Sequence, residues 1–213
     1  MYNQLEAAVA IFDAAGIRYH LVAGSALGLA RHGGIIPWDD DVDIAVHADD
    51  ADKVWALRDQ FAAHSFPLVR ADIGFKFGSG GIDDSCVRLE NGDPTYFNPY
   101  LAKGLPFQPG HPFKKVTSDI FTMKELGEVD GVPVLRYCSE FCQKVWPMEV
   151  IPKSGWYSNA TASFGGIQVR ALPAPQLDWY LSHSFGPTWA THDGKGQLLK
   201  EFDCLRRTAK VVI

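Results

Sequence analysis

The chain has 213 residues, a formal net charge of −5 at pH 7 and a hydrophobic content of 46%. This length favours one buried core, so we expect residues 1–213 to form a single domain. The acidic balance argues against nucleic acid as a partner, because a phosphate polymer meets net repulsion unless basic residues cluster. The densest basic group is Arg206, Arg207 and Lys210, and three charges near a terminus are more typical of a solvated helix end.

The sequence also predicts a cytoplasmic protein. Its first residues include Glu6 and Asp13 and lack the basic start and apolar run of a signal peptide. No later segment approaches the roughly 20 apolar residues of a membrane span. The four cysteines are few for a disulfide scaffold, so we expect reduced thiols. Cys138 and Cys142 are four residues apart, but a zinc site needs two more ligands, and packing is the better interpretation.

The first predicted elements are a helix, a strand and a second helix. Apolar residues recur at helical spacing from the start of the chain and predict an amphipathic helix that stops before Gly16. Residues 19–23 are typical of a short strand, and residues 26–31 are rich enough in Ala and Leu to begin a helix. Gly24 and Ser25 lie between them, and we expect a tight turn whose N–H groups and hydroxyl bind phosphate oxygens.

An acidic run follows the second helix. The alternation of apolar residues over 42–46 predicts a strand. Residues two apart on a strand share a face, so Asp39, Asp41 and Asp43 can project the same way if the strand extends that far. Three like charges require a counter-charge, and a hard divalent cation such as Mg²⁺ or Mn²⁺ is the natural partner of carboxylates.

The remaining elements are predicted in chain order from periodicity and turn residues. They are a helix from Asp49 or Asp50 to about His64, strands at 67–72, 74–77, 86–90 and 115–123, a Pro- and Gly-rich loop at about 92–112, a helix at 137–146, a strand at 165–169 and a helix at 177–185. A loop as long as the one at 92–112 usually carries function or lies over a site.

Two other acidic motifs fit the run poorly. A calcium-binding EF-hand loop that starts at Asp39 needs glycine at its sixth position and glutamate at its twelfth, where this chain has Ile44 and Asp50. A phosphatase that forms an aspartyl phosphate places its first acid at the end of a buried apolar strand, whereas Asp41 follows a polar segment.

One stretch of the chain carries a family resemblance. It comprises GSALG at residues 24–28 and RHGGIIPWDDDVDI at residues 31–44. This pattern resembles the signature of the LicD family, which includes bacterial phosphocholine transferases and the fukutin and fukutin-related ribitol-phosphate transferases, within the DNA polymerase beta-like nucleotidyltransferase superfamily. Residues 118–121 resemble the later family strand with the third carboxylate, and residues 165–186 resemble its closing segment.

The resemblance implies an α/β (α+β) fold, with a nucleotidyltransferase-like mixed sheet flanked by helices. It implies transfer of a phosphoalditol or phosphocholine group from a CDP-activated donor to a glycan hydroxyl. Asp41 and Asp43 would hold the metal, with Asp39 as a further candidate ligand, and Asp119 would complete the site or accept the proton of the acceptor.

The residues alone leave the third carboxylate open. Asp119 is an acid within an otherwise apolar strand, and burial of an unpaired carboxylate costs several kcal/mol, as an order of magnitude. It is therefore the preferred ligand. Asp72, Asp83 and Asp84 are the alternatives.

Basic residues near the motif are candidates for binding the donor. Arg31 and His32 follow the phosphate turn, and Arg suits a bidentate grip on a diphosphate, although Arg31 could equally pair with an aspartate. Lys76 and Arg88 are further candidates on later strands. The alternative functions are nucleotidyl transfer from an NTP and a catalytically silent module that binds metal or nucleotide.

Overall fold

The computed structural model describes residues 1–37, 39, 41–78, 86–88, 94–96 and 117–191. These residues form a mixed sheet flanked by helices, which confirms the predicted α/β class. None of the described helices is both long and apolar enough to span a lipid bilayer. The helices are α1 (Tyr2–Ala14), α2 (Ala23–His32), α3 (Ala51–Ala56), α4 (Arg58–Ala63), α5 (Glu140–Val145), α6 (Lys153–Trp156) and α7 (Ala174–Phe185). The strands are β1 (Tyr19–Leu21), β2 (Asp43–His47), β3 (Leu68–Ala71), β4 (Gly74–Gly78), β5 (Cys86–Arg88), β6 (Pro94–Tyr96), β7 (Thr117–Val129), β8 (Val132–Tyr137), β9 (Val150–Pro152), β10 (Thr161–Phe164) and β11 (Ile167–Arg170).

The sheet is organised around β7. The described strands follow the order β1-β2-β7-β4-β3-β6-β5, and β8 pairs with β7 and β9. Strand β7 runs parallel to β2 and antiparallel to β4. In this register Asp119 lies opposite Asp43 on one side and opposite Lys76 on the other. Three charged residues that are far apart in the sequence therefore meet on adjacent strands.

Each face of the sheet buries its own hydrophobic cluster. Ile44 and Ile120 belong to one cluster, which includes side chains of α1 and α4. The next residues along the same strands, Ala45 and Phe121, belong to the other cluster, with side chains of α2, α6 and α7. This alternation follows from the period of two in a strand and explains why the central strands are apolar on both faces.

The structure corrects the start of the predicted site. Strand β2 begins at Asp43, so Asp39 and Asp41 lie in the loop that precedes it. Helix α2 begins at Ala23, so Gly24 and Ser25 form its first turn rather than a separate turn. This helix ends at His32. Gly33 follows it with a φ of 63°, a left-handed conformation that glycine adopts without steric cost.

Later boundaries also differ from the prediction. The helix expected over 137–146 is only α5, because Tyr137 belongs to β8. Helical structure over 49–64 is interrupted at Leu57, which separates α3 from α4. Strand β7 extends to Val129, and β11 begins only at Ile167 because the preceding glycines form the turn from β10.

The predicted loop at 92–112 contains the short strand β6, and its other residues lie outside the described part of the chain. The strand predicted at 86–90 is described as β5, and residues 89 and 90 also lie outside the described part of the chain.

Cys138 and Cys142 agree with the packing interpretation. Cys138 and Cys142 are free thiols, and Cys142 lies in the core cluster with Phe121 and Tyr137. Burial raises the pKa of Cys142 to about 11, so the buried group is a neutral thiol at physiological pH.

Candidate metal centre

Three carboxylates converge at the beginning of β2 and β7. Asp41, Asp43 and Asp119 each offer one carboxylate oxygen, and these oxygens lie within 4.8 Å of one another. Asp43 and Asp119 are opposite residues of the parallel pair β2–β7, and Asp41 reaches them from the loop before β2. We call these three residues the carboxylate triad. The pairing register of β2 and β7 brings these carboxylates together, and they do not lie on one continuous strand.

Asp43 is the most enclosed member of the triad. It is 8% exposed, and burial raises the pKa of its carboxyl group well above the ordinary value. The negative charges of Asp41, Asp119, Asp39 and Glu149 raise it further, in that order. The ionised cluster is therefore unfavourable without a counter-charge. Hard carboxylate oxygens at this spacing fit Mg²⁺ or Mn²⁺, which gives the predicted cation a suitable set of ligands.

The first turn of α2 borders the triad. The buried Ser25 hydroxyl oxygen accepts a hydrogen bond of 2.8 Å from the backbone N–H of Asp43. A Cβ atom on Gly24 would lie 2.7 Å from an oxygen of Asp39 and 3.6 Å from one of Asp43. Gly24 therefore lets the helix approach the acids, and Ser25 positions Asp43. First-turn N–H groups lack acceptors within their own helix, so this end of α2 favours anions.

A buried chain of hydrogen bonds stabilises the first turn of α2. The Ala23 N–H donates to the Tyr180 hydroxyl oxygen at 2.7 Å, and the Tyr180 hydroxyl donates to Glu149. Tyr180 is fully buried, and burial raises the pKa of Glu149 to about 7 although the hydrogen bonds from Tyr180 and Ala23 oppose the shift. Ala23 has a φ of 46°, which costs a residue other than glycine about 1–3 kcal/mol. The chain therefore stabilises a strained start of the helix.

Lys76 supplies a positive charge beside the triad. Its ammonium group forms an ion pair with Oδ1 of Asp119, and the two side chains are 19% and 14% exposed. Both residues occupy directly paired positions of β4 and β7. The pair is thus shielded from solvent more than a surface salt bridge.

The other predicted ligands fall in different places. Asp39 is not part of the triad, although it contacts the same first turn of α2 and acts on the charge of Asp43. Asp72 is exposed in the turn between β3 and β4, where its carboxylate accepts a hydrogen bond from the N–H of Ile73. Asp83 and Asp84 lie outside the described residues. Among the described residues, the acid that lies with Asp41 and Asp43 is Asp119, the preferred candidate.

Of the predicted donor-binding residues, Gly24 and Ser25 border the triad, whereas Arg31 and His32 lie at the opposite end of α2. Arg31 and His32 lie in the last turn of α2, where basic side chains interact favourably with the helix dipole. Arg31 is about 10 Å along the helix axis from Gly24, and its Nε donates to the carbonyl oxygen of Trp189 at 2.5 Å. Arg88 belongs to β5, and its side chain lies outside the described part of the structure.

Glu149 and Tyr180 are not among the residues that the sequence predicts for the site, and no local pattern pairs Lys76 with Asp119. Tyr180 is 157 residues from Ala23, and Lys76 is 43 residues from Asp119. Local patterns carry no signal of such distant pairs. A lysine and an aspartate in two predicted apolar strands were the one available hint, since buried charges are usually paired.

Comparison with known proteins agrees with the family resemblance in one part of the chain. Residues 16–96 match the family model described as LicD/FKTN/FKRP, nucleotidyltransferase domain. This segment contains the first turn of α2 and two residues of the triad, Asp41 and Asp43. The resemblance that the sequence motifs predict is confirmed for this segment.

Three curated proteins are similar over short stretches. The chain is 52% identical over 50 residues to ribitol 5-phosphate transferase FKRP of Homo sapiens and to the same protein of Mus musculus, which covers 24% of this chain and 10% of each relative. It is 45% identical over 42 residues to lipopolysaccharide cholinephosphotransferase LicD of Haemophilus influenzae, which covers 18% of this chain and 16% of the relative. The chain thus aligns with only a small part of the length of these relatives.

A solved structure is also similar in outline. The solution structure of the antibiotic-resistance factor ANT(2'')-Ia matches with a TM-score of 0.44 and 13% sequence identity, over 96% of this chain and 90% of that chain.

Proposed function

We propose that the protein is a metal-dependent phosphotransferase of the LicD family, within the nucleotidyltransferase superfamily. It transfers a phosphoalditol or phosphocholine group from a CDP-activated donor to a hydroxyl group of a glycan. The observation that carries this proposal is the convergence of Asp41, Asp43 and Asp119 beside the first turn of α2. The segment matched by the family model supplies that turn and two of these acids, and the relatives' names indicate the class of group transferred.

The triad would hold Mg²⁺ or Mn²⁺. The bound cation would neutralise charge on the phosphate oxygens as the group is transferred. The first turn of α2, with Gly24 as the point of close approach, would orient the donor phosphates through its N–H groups. Ser25 keeps Asp43 in place by accepting the hydrogen bond from its backbone N–H.

In the proposed reaction, the acceptor hydroxyl oxygen forms a bond to the phosphorus atom that carries the alditol or choline. The bond from that phosphorus to the bridging oxygen of CMP breaks, and CMP leaves with the bonding electron pair. The hydroxyl proton passes to a carboxylate. We assign this role to Asp119, because its side chain retains 14% exposure whereas Asp43 is buried.

Other parts of the prediction are retained as parts of the proposal. Arg31, His32 and Arg88 would contact portions of the donor farther from the triad. A cytoplasmic location, a single domain over residues 1–213 and the absence of a nucleic-acid partner remain predictions.

The test is release of CMP from CDP-linked ribitol, glycerol and choline in the presence of a glycan acceptor. We expect release that requires Mg²⁺ or Mn²⁺ and is lost in Asp41→Asn and Asp43→Asn. Asp49→Asn is the matched control, because it removes an acid with an 89% exposed side chain just after β2. Full CMP release by both triad variants would refute the proposal.

Nucleotidyl transfer is the second candidate, because the matching family model is described as a nucleotidyltransferase domain. It predicts release of pyrophosphate from an NTP instead of CMP from a CDP donor. Binding of a CDP donor without either product would identify a catalytically silent module.

A further inference from the structure

We infer that Lys76 balances the charge of the metal centre, so that the triad binds a cation less tightly but accepts the diphosphate of a nucleotide donor more readily. The inference rests on the proposed function and assigns a residue that adjusts the same site to both of its ligands.

The position of Lys76 makes it part of the site rather than of the surface. It is paired directly with Asp119 across β4 and β7, and its ammonium contacts Oδ1 of that triad residue. The side chain of Lys76 is 19% exposed. Charges that are partly removed from solvent interact strongly and are weakly screened by salt, so Lys76 acts on every charge that enters the triad.

The charges of the site then determine two opposite effects. The three carboxylates carry three negative charges when ionised, and Lys76 reduces this net charge to minus two. A divalent cation brings the triad and Lys76 together to neutrality, and Asp39 adds its negative charge whether or not Lys76 is present. Without Lys76, the loaded site would carry one more negative charge and would repel a diphosphate more strongly. Removal of Lys76 should therefore strengthen binding of the cation alone and weaken binding of the donor.

A purely structural ion pair predicts a different result. In that case, removal of the lysine leaves Asp119 without its partner and disturbs the geometry of the triad. Binding of cation and donor would then weaken together, or neither would change. The opposite signs of the two effects distinguish charge balance from structural support.

The experiment compares Lys76→Met, which removes the charge at similar side-chain length, with Lys76→Arg, which keeps it. Lys53→Met is the matched control, because it makes the same change in net charge at a 69% exposed side chain that pairs with Asp50. Binding of Mn²⁺ to the metal-free full chain is measured by electron paramagnetic resonance of the free ion. The KM for the CDP donor is measured at saturating Mn²⁺.

We expect Lys76→Met to bind Mn²⁺ about tenfold more tightly and to show a KM for the donor about tenfold higher, each on the order of 1.4 kcal/mol. Lys53→Met should remain within about twofold of the parent, since it leaves the charge beside the triad unchanged. Lys76→Arg keeps that charge and should change both quantities less than Lys76→Met does. Unchanged or weaker Mn²⁺ binding by Lys76→Met overturns the inference, and so does an unchanged KM.

Two further measurements keep the outcome decisive. If Lys76→Met shows no cooperative thermal transition, Lys76→Gln, which retains a hydrogen-bond donor, is measured in the same way and judged by the same results. Mn²⁺ binding by Asp41→Asn separates this inference from the proposed function. Loss of binding in Asp41→Asn, combined with a failed Lys76 prediction, leaves the metal centre in place and removes only the role of Lys76.

Discussion

Replacement of Asp43 by asparagine should stabilise the metal-free protein at neutral pH and abolish its metal binding. Burial and, after it, the neighbouring negative charges raise the pKa of the Asp43 carboxyl group, so its ionised form is unfavourable in the fold. Asparagine has nearly the same shape, carries no charge, and its amide group can donate hydrogen bonds to the neighbouring carboxylates. The bond from the residue 43 N–H to Ser25 is retained, because it involves the backbone.

The spacing of the triad sets the size of the effect. Two unit charges separated by 4.8 Å repel with about 3.5 kcal/mol at an effective dielectric constant of about 20. Relaxation of the side chains and the nearby positive charge of Lys76 offset part of this repulsion. We therefore expect a net gain of about 1–2 kcal/mol, which for a chain of 213 residues raises Tm by about 2–8 °C.

The gain should depend on pH in a defined direction. The pKa of Asp43 is raised in the fold, so its contribution to the stability of the parent is fully present at low pH and is lost as pH rises through the folded pKa. Parent and variant should therefore have similar stability near pH 4, and the advantage of the Asp43→Asn variant should grow toward pH 7.

Thermal unfolding with a chelator and with added Mn²⁺ provides the assay. The parent gains about 2.7 kcal/mol when the cation is present at 100 times its Kd, and Asp43→Asn should gain nothing. Asp119→Asn is the comparison variant, because it also removes a triad charge but leaves Lys76 without its acidic partner. Its metal-free stability should rise less or fall. Equal loss of metal-free stability in both variants, or a preserved Mn²⁺ response in Asp43→Asn, would refute this reasoning.

Three further substitutions test the surroundings of the site. Tyr180→Phe removes the hydroxyl that binds Glu149 and should lower the free energy of unfolding by about 1–3 kcal/mol in urea titrations. Gly28→Ala should destabilise by a similar amount, about 1–3 kcal/mol, because the added Cβ atom would lie 2.5 Å from the backbone oxygen of Gly34. Burial lowers the pKa of His20 to about 4, so the stability that neutral His20 contributes is present above pH 6.5 and is lost as pH falls toward 4. His20→Gln should therefore remove about 3 kcal/mol of the change in unfolding free energy between pH 7 and pH 4, measured by denaturation.

These three predictions have separate controls and contrary outcomes. Tyr157→Phe removes an exposed hydroxyl that binds Glu125 and should change stability by less than about 0.5 kcal/mol. Equal effects of the two tyrosine substitutions would contradict the role of the buried chain. A stabilising Gly28→Ala would mean that helix propensity outweighs the close approach. If the unfolding free energy of His20→Gln depends on pH as that of the parent does, other groups cause the pH dependence.

The local parts of the fold were predictable from the sequence, and the long-range parts were not. Apolar spacing predicted α1, because it reports the buried face of a helix. Alternation predicted β2, although the strand is buried on both faces. The segment over 137–146 was predicted as one helix, but Tyr137 joins β8. Tyr137 pairs with Met123 of the neighbouring strand β7, and such pairing between strands overrides a short local helical pattern.

The candidate site divides in the same way. Asp41 and Asp43 were predictable because a dense motif places them beside each other. Asp119 was the preferred of several candidate third ligands, but its place opposite Asp43 depends on the parallel register of β2 and β7, which no local pattern carries. The connection of Glu149 and Tyr180 to α2 has no local signal, since it depends on how α7 packs.

The most direct test of the central claim is an anomalous diffraction map of a crystal soaked with Mn²⁺ and CDP. We expect one strong peak about 2 Å from a carboxylate oxygen of each of Asp41, Asp43 and Asp119, with the diphosphate at the first turn of α2. A peak bound by other residues, with the triad free of the ion at saturating Mn²⁺, would contradict it.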